Sequence, residues 1–316
     1  MSDYLFIHRM AMIADYYYPP GGVKYENQWQ HLHKPFIHEI IPKMKPNSII
    51  FADTLWLDRF EIFNDIKVPF ILITAEADVT IPYNNYSKQI ESCYSLLNNP
   101  LLIKWFSINV DYSHPKLIPI PIGLPKHIPY IVHKINEQPY MGWVINFQIN
   151  QVSQFISTKN KTVKQCTNFC NKDKKHLLYT RMTVENSDNC FHDKEGIRRH
   201  ALTILKDKFD MSQSGSLVKW EDYIEELMEY KFCLSLPGKG MDCYRTWEAL
   251  TLGVIPIVLR TKYMDSIYED LPVLILDNLE ILSEDYLNEQ FEIIISQNKK
   301  YNYNKLTSSY WMDLIL

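Results

Sequence analysis

Residues 232–259 read FCLSLPGKGMDCYRTWEALTLGVIPIVL, and the reading of this stretch decides the fold class. Phe232 to Leu236 is a short apolar run of strand composition, which Pro237, Gly238 and Gly240 bring to an end. Asp242 stands where a helix N-cap belongs, Tyr244 to Leu252 has helical spacing, and Gly253 is placed to close the helix. Val254 to Leu259 is apolar and largely β-branched, the composition of a parallel strand buried on both faces. The order is therefore strand, loop, helix, strand. A loop that leaves a strand and opens a helix presents unpaired N–H groups and the positive end of the helix dipole, both suited to a phosphate. Arg245 adds a charged planar fork in the first helical turn. Glu248, three residues on, shares that face and is an acceptor for sugar or ribose hydroxyls.

A plainer alternative stands beside this one. Every α/β protein contains such units, the glycine spacing matches neither the dinucleotide nor the Walker fingerprint, and an Arg-x-x-Glu pair is commonly an exposed ion pair. Glu248 weighs against the exposed pair, because it lies between Trp247 and Ala249 in a mostly apolar helix. A carboxylate in that setting requires a partner.

Outward from this segment, β-rich runs at Ser48 to Ala52, Phe70 to Thr74, Ile103 to Val110 and Leu117 to Ile122 alternate with helical patterns at Trp56 to Ile66 and Tyr83 to Leu97. The alternation predicts an α/β domain with a doubly wound parallel sheet. Asp53 follows the first run, Glu76 and Asp78 the second, and Asp111 with His114 the third, on the carboxyl edge where open sheets place ligands. From Pro125 to Lys175 the pattern weakens. A second α/β unit opens at His176 to Thr180, takes in the basic pair Arg198 and Arg199 and the 232–259 segment, and ends with Leu271 to Leu276. The tail Ser283 to Leu316 has helical character, and its Trp311 and Leu314 need a surface to cover. The expected division is a Rossmann-like domain over 1–135, a linker or insertion over 136–175, a second Rossmann-like domain over 176–290 and a C-terminal helix over 291–316 that packs back on the first.

Composition sets the outer bounds. A chain of 316 residues with 46% hydrophobic and 13% aromatic content supplies ample core for two domains. A formal charge of −4 argues against a general nucleic-acid binder. His8 and Arg9 interrupt the N-terminal apolar stretch, so neither a signal peptide nor a transmembrane segment is legible there, and a soluble, cytoplasmic or virus-encoded setting is the expectation. The 6 cysteines form no disulfide framework. Cys166, Cys170, Cys190 and His192 match no standard zinc spacing, so free thiols and no metal are expected.

The run KFCLSLPGKGMDCYRTWEALTLGVIPIVL resembles the signature of exostosin-like glycosyltransferases: a strand, a P-x-G loop, an R-x-x-E-A helix and a G-x-I-P-V strand. The residues that carry the resemblance are Pro237, Gly238, Gly240, Asp242, Arg245, Trp247, Glu248, Ala249, Gly253, Ile255 and Pro256. Residues 69–83 and 105–125 and the terminal Tyr310-Trp311 are similar to segments of soluble exostosin-like and ribitol-xylosyltransferase-like proteins.

The resemblance implies a GT-B fold of two Rossmann-like domains facing a cleft. It further implies a nucleotide-sugar donor, commonly a UDP-sugar, held by the C-terminal domain, and a glycan or glycoconjugate acceptor approached by the N-terminal one. Transfer would invert the anomeric carbon without a metal. Under this reading Arg245 neutralises the departing diphosphate, Glu248 binds donor hydroxyls, Gly238 and Gly240 admit the phosphates to the backbone, and Asp242 belongs to the donor site. Arg181 is a second phosphate candidate, in competition with Arg198 and Arg199. Inversion requires a base, with Asp78 and Glu76 first in line and Asp53, Asp111 and His114 behind them. The alternative is a catalytically degenerate GT-B protein that binds a nucleotide or glycan, and a nucleotide-sugar epimerase is a third reading.

Overall fold

The computed structural model describes residues 5, 7–18, 36–75, 78–82, 87–124, 133–135, 138–140, 174–184, 196–210 and 218–316. The chain divides into two compact units, one gathering Phe6–Ile122, Lys126–Gln148 and Trp311–Leu316, the other Met1–Leu5, Gly123–Pro125 and Ile149–Tyr310. Each is an α/β unit built on a parallel sheet.

The first sheet has five strands in the order β1 (Tyr16–Tyr18), β2 (Ser48–Asp53), β3 (Phe70–Ala75), β4 (Leu102–Ser107) and β5 (Leu117–Pro119), every neighbouring pair parallel. Strands β2 to β4 follow the apolar runs. Strand β1 was not legible, since three tyrosines are too short to show alternation, yet Tyr17 and Tyr18 are buried. The ring of Tyr18 meets Phe36 at 5.0 Å and Phe63 at 5.1 Å, and Phe60 meets Phe63 at 5.1 Å. Edge-on aromatic packing of this kind adds to the area that each ring removes from water. Where a helix was expected over Trp56 to Ile66, residues Thr54–Asp65 form a 3₁₀ stretch kinked at Trp56. Helix α1 (Ser87–Leu97) covers the later part of the second helical pattern.

A polar chain crosses the interior between β3 and β4. Trp105 Nε1 donates to Thr74 Oγ1 at 2.8 Å, Thr74 Oγ1 to Ser107 Oγ at 2.7 Å, and Ser107 Oγ to the Ile108 carbonyl at 2.9 Å. All three residues are buried, and each hydroxyl has a partner, as a buried polar group must.

The route from β4 to β5 corrects one expectation. Strand β5 is parallel to β4 and its Leu117 lies opposite Trp105. Residues 108–116 contain no helix, so they carry the chain back along the sheet themselves. The Trp105 N–H donates to the Lys116 carbonyl at 2.7 Å, and Lys104 Nζ reaches the Pro115 carbonyl at 3.4 Å. The run expected over Ile103 to Val110 thus ends at Ser107, and His114 lies beside the start of β5, away from the carboxyl edge. A short antiparallel pair, β6 (His133–Ile135) with β7 (Gln138–Tyr140), lies within the stretch that sequence left irregular.

The second sheet has the order β11-β10-β9-β8, with β8 at His176–Tyr179, β9 at Tyr230–Leu234, β10 at Ile255–Leu259 and β11 at Leu274–Leu276, all parallel. Helices α2 (Ile197–Leu205), α3 (Trp220–Met228), α4 (Tyr244–Thr251) and α5 (Glu284–Ser296) belong to this unit. In both sheets the described strands succeed one another in chain order. Pro256 sits inside β10 although proline lacks a ladder donor. It pairs with Cys233 of β9, while pairing to β11 begins only at Ile257, so no ladder bond to β11 is forfeited.

Helix α4 ends as its sequence announced. Gly253 has φ +71°, its N–H donates to the Leu250 carbonyl at 3.2 Å, and the Val254 N–H donates to the Ala249 carbonyl at 2.9 Å. These two bonds make a Schellman cap, in which a left-handed glycine satisfies the last carbonyls of the helix. The tail is two helices, α5 and α6 (Ser308–Ile315), with 3₁₀ turns between them. Trp311 of α6 is buried at 3% exposure, whereas Leu314, expected under cover, is 52% exposed. Among the described residues no helix is long and apolar enough to cross a membrane.

Candidate functional site

The residues singled out in the second unit gather around the loop after β9 and the start of α4. The N-cap of α4 is Cys243, with an extended backbone and no side-chain cap, so the expectation of Asp242 as the cap is corrected. Asp242 is 3% exposed and turns inward. Its Oδ1 accepts from the Cys243 N–H at 2.9 Å and from the Tyr268 hydroxyl at 2.8 Å, and Trp247 Nε1 donates to Oδ2 at 2.8 Å. The carboxylate ties the loop to α4 and to Tyr268. Burial and the neighbouring Asp242 hold the Tyr268 hydroxyl protonated, far above its usual range.

Gly238 and Gly240 do not have left-handed backbones. Gly238 leaves room for Arg198: a Cβ there would lie 2.8 Å from Arg198 Nη2, and the guanidinium would have to shift to admit it. The Gly238 N–H donates to the Gly240 carbonyl at 3.1 Å, closing the loop on itself. Among the described residues, the amides of Lys239 and Gly240 donate to no backbone carbonyl, and Lys239 is exposed while Gly240 is buried.

Arg245 and Glu248 share a helix face without forming an ion pair, since among the described residues none within 4.0 Å joins them. Glu248 is 7% exposed, and its Oε2 accepts from the Tyr223 hydroxyl of α3 at 2.8 Å. Burial raises the Glu248 carboxyl above its ordinary range, against the opposing pull of the Tyr223 hydrogen bond and the Arg245 charge. The Arg245 guanidinium lies over the Tyr223 ring at 6.0 Å, and its Nε is sealed from solvent with no hydrogen-bond partner. Burial pulls the Arg245 pKa down, but Tyr223, Cys233 and Glu248 outweigh it and the cation is held firmly charged. Beneath, on β9, burial lifts the Cys233 thiol to about 12, which makes it an inert core group.

Arg181 follows β8, and its fork is gripped by Glu226 of α3, with Nε to Oε2 at 3.1 Å and Nη2 to Oε1 at 3.1 Å. The Tyr179 hydroxyl donates to the same Oε2 at 3.1 Å, and the Tyr179 ring stands 6.0 Å from that of Tyr223. Two polar clusters, Arg181–Glu226–Tyr179 and Arg245–Tyr223–Glu248, thus meet along α3.

In the first unit Asp53 closes β2, and Asp78 is exposed beyond β3. Asp111 is tied to the same edge by its N–H, which donates to the Ile81 carbonyl at 2.7 Å. Glu76 lies outside the described residues. His114 does not join them: its Nδ1 accepts the Lys116 N–H at 3.2 Å, and its ring stacks on Tyr112 at 6.4 Å. Burial, with the Lys116 charge beside it, lowers the His114 pKa, so the neutral ring with its proton on Nε2 is favoured.

Tyr223 and Glu226 were not read as site residues from the sequence, and Arg198, read there as a competing phosphate candidate, is bound instead to the backbone carbonyls of Thr183, Leu236 and Pro237. Only the isolation of Glu248 in an apolar helix signalled that a partner existed, and nothing in the sequence named it. Among the described residues no group of three potential metal ligands assembles, and Cys166, Cys170, Cys190 and His192 lie outside them. Cys93, Cys233 and Cys243 are free thiols.

No model of a known protein family matches the sequence, and no curated protein does. Solved structures overlap it loosely. "Trehalose-6-phosphate from E. coli bound with UDP-2-fluoro glucose" aligns at TM-score 0.41 and 8% identity, over 93% of this chain and 79% of that one. The α,α-trehalose 6-phosphate synthase from Burkholderia multivorans aligns at 0.41 and 7%, over 92% and 76%. A GtfA/B complex aligns at 0.38 and 11%, over 91% and 60%. Overlaps this loose carry no argument about activity.

Proposed function

We propose that the chain is a GT-B glycosyltransferase that moves a sugar from a nucleotide-sugar donor, a UDP-sugar, to a hydroxyl of a glycan or glycoconjugate, with inversion and without a metal. The observation that carries this is Arg245. Its Nε is buried and has no protein acceptor, while the carboxylate on its own helix face is occupied by Tyr223. A buried donor left unpaired costs about 1–3 kcal/mol, which an anionic ligand would relieve. Such a group beside a phosphate stabilises the charge that grows as the diphosphate leaves. The exostosin-like spacing through Pro256 supplies the donor class, and Glu248 and the Lys239 and Gly240 amides are its further contacts. Asp78 and Glu76 remain the first candidates for the base.

The test is product formation from a panel of UDP- and GDP-sugars with glycan acceptors. Arg245→Ala is expected to lower kcat/KM by ~10²-fold or more, the scale of losing one preorganised charge-stabilising donor, with an unchanged circular dichroism spectrum. Full turnover by the variant overturns the assignment. The anomeric configuration of the product, read by NMR, decides inversion, and comparison of Asp78→Asn with Glu76→Gln sorts the base. A second reading, nucleotide or glycan binding without turnover, is favoured by the Glu226 grip on Arg181, which spends that phosphate candidate on the protein itself. Calorimetric binding of UDP with no transfer to any acceptor supports it.

A further inference from the structure

Arg198 is the most heavily committed side chain near the glycine loop, and the site described above does not use it. From the second position of α2 its guanidinium reaches three backbone carbonyls. Nη1 donates to Thr183 O at 2.8 Å, Nη2 to Leu236 O at 3.0 Å, and Nε to Pro237 O at 3.1 Å and Leu236 O at 3.3 Å. The Cys243 thiol, 3.9 Å from Nη2, donates to the same Leu236 carbonyl at 3.2 Å. A guanidinium has a rigid fork of five donors and no acceptor, so it can hold several carbonyls at fixed angles where an ammonium would act as a point charge. Here the fork joins the segment after β8, the loop after β9 and the residue that caps α4. The loop is shaped to receive it, because any side chain at Gly238 would invade the space of Nη2.

We infer that Arg198 is a positioning residue for the donor loop. By turning the Leu236 and Pro237 carbonyls toward itself, it fixes the face on which the Lys239 and Gly240 amides and Arg245 are presented, and so sets the affinity for a nucleoside diphosphate. The glycine at 238 is then a packing requirement of Arg198, in place of a close approach to phosphate. This rests on the donor-site reading above, so the test carries one readout that does not depend on it.

The first readout is the rate of alkylation of Cys243 by N-ethylmaleimide, followed on its own peptide by mass spectrometry. The second is UDP affinity by calorimetry. Arg198→Lys and Gly238→Ala are each expected to speed Cys243 alkylation at least ~5-fold and to weaken UDP ~10-fold, the scale of one lost charge-assisted contact. The double variant Arg198→Lys with Gly238→Ala should be little worse than either alone, since both break one brace, and two independent contributions would add. Melting temperature and circular dichroism establish that each variant is folded. Arg198→Met, which keeps the apolar stem without the fork, serves if Arg198→Lys retains partial bonding. Unchanged Cys243 reactivity in Arg198→Met overturns the brace. Faster alkylation with unchanged UDP affinity overturns its link to ligand binding. Faster alkylation in a protein that binds neither UDP nor GDP in its unaltered form leaves the brace standing and overturns the nucleotide reading instead.

Discussion

At the scale of single residues the site is governed by two buried carboxylates that hold different partners. Glu248 has a folded pKa raised above its ordinary 4.5, chiefly by burial. The folded state therefore binds that proton more tightly than the unfolded chain does. The associated stability is complete below the unfolded pKa and is lost as pH rises through the folded one. Glu248→Gln keeps an acceptor for the Tyr223 hydroxyl and removes the titration. Its melting temperature relative to the unaltered protein is expected to rise between about pH 4 and pH 8, each kcal/mol appearing as about 2–4 °C in a domain of this size. A flat difference across that range would show that folding leaves the proton affinity of Glu248 unchanged. Asp242 accepts hydrogen bonds on both of its oxygens. Asp242→Ala leaves Trp247 Nε1 and the Tyr268 hydroxyl without their carboxylate acceptor in the core, and a loss of about 2–5 kcal/mol in urea unfolding is expected, at about 1–3 kcal/mol for each buried donor so deprived. Sequence carried the first half of the Glu248 argument, its isolation among apolar neighbours. It carried nothing of Asp242, whose turn-forming residue type reads equally as a cap, and whose true partners lie 5 and 26 positions away.

At the scale of elements, what was legible was what depends on neighbours in the chain. The strand–loop–helix–strand order of 232–259, the apolar strands β2, β3 and β10, and the glycine at the end of α4 are all local features. The Gly253 cap gives a clean test. Any residue with a Cβ pays about 1–2 kcal/mol for the left-handed conformation, so Gly253→Ala should destabilise by that amount in chemical denaturation without changing donor affinity. A loss near zero would mean that α4 ends differently in solution. What was not legible depends on contacts between distant segments. The Arg198 fork binds carbonyls 15 to 39 positions away, and the partner of Glu248 comes from a helix 25 positions upstream. His114 shows the same limit at the level of a loop. Its position after a strand suggested the carboxyl edge, but a parallel β5 without an intervening helix obliges residues 108–116 to run back along the sheet.

At the scale of the whole molecule, the last few residues have a role that their position in the chain conceals. Trp311–Leu316 cluster with the five-stranded unit although the chain up to Tyr310 belongs to the four-stranded one. Trp311 is the first of these residues. It is 3% exposed, while Leu314 on the same helix is 52% exposed, so the tryptophan supplies the anchoring burial. Removing a buried tryptophan side chain costs about 3–5 kcal/mol, in lost transfer energy and in the cavity left behind. Two units with separate cores need not unfold in one step, so that cost should fall unevenly. Trp311→Ala is expected to raise amide hydrogen exchange in β2, β3 and β4 and to leave β9 and β10 close to their original protection. Exchange that rises first in β9 and β10 would assign the anchor to the four-stranded unit. Exchange that rises equally in both sheets would show that the two units unfold together.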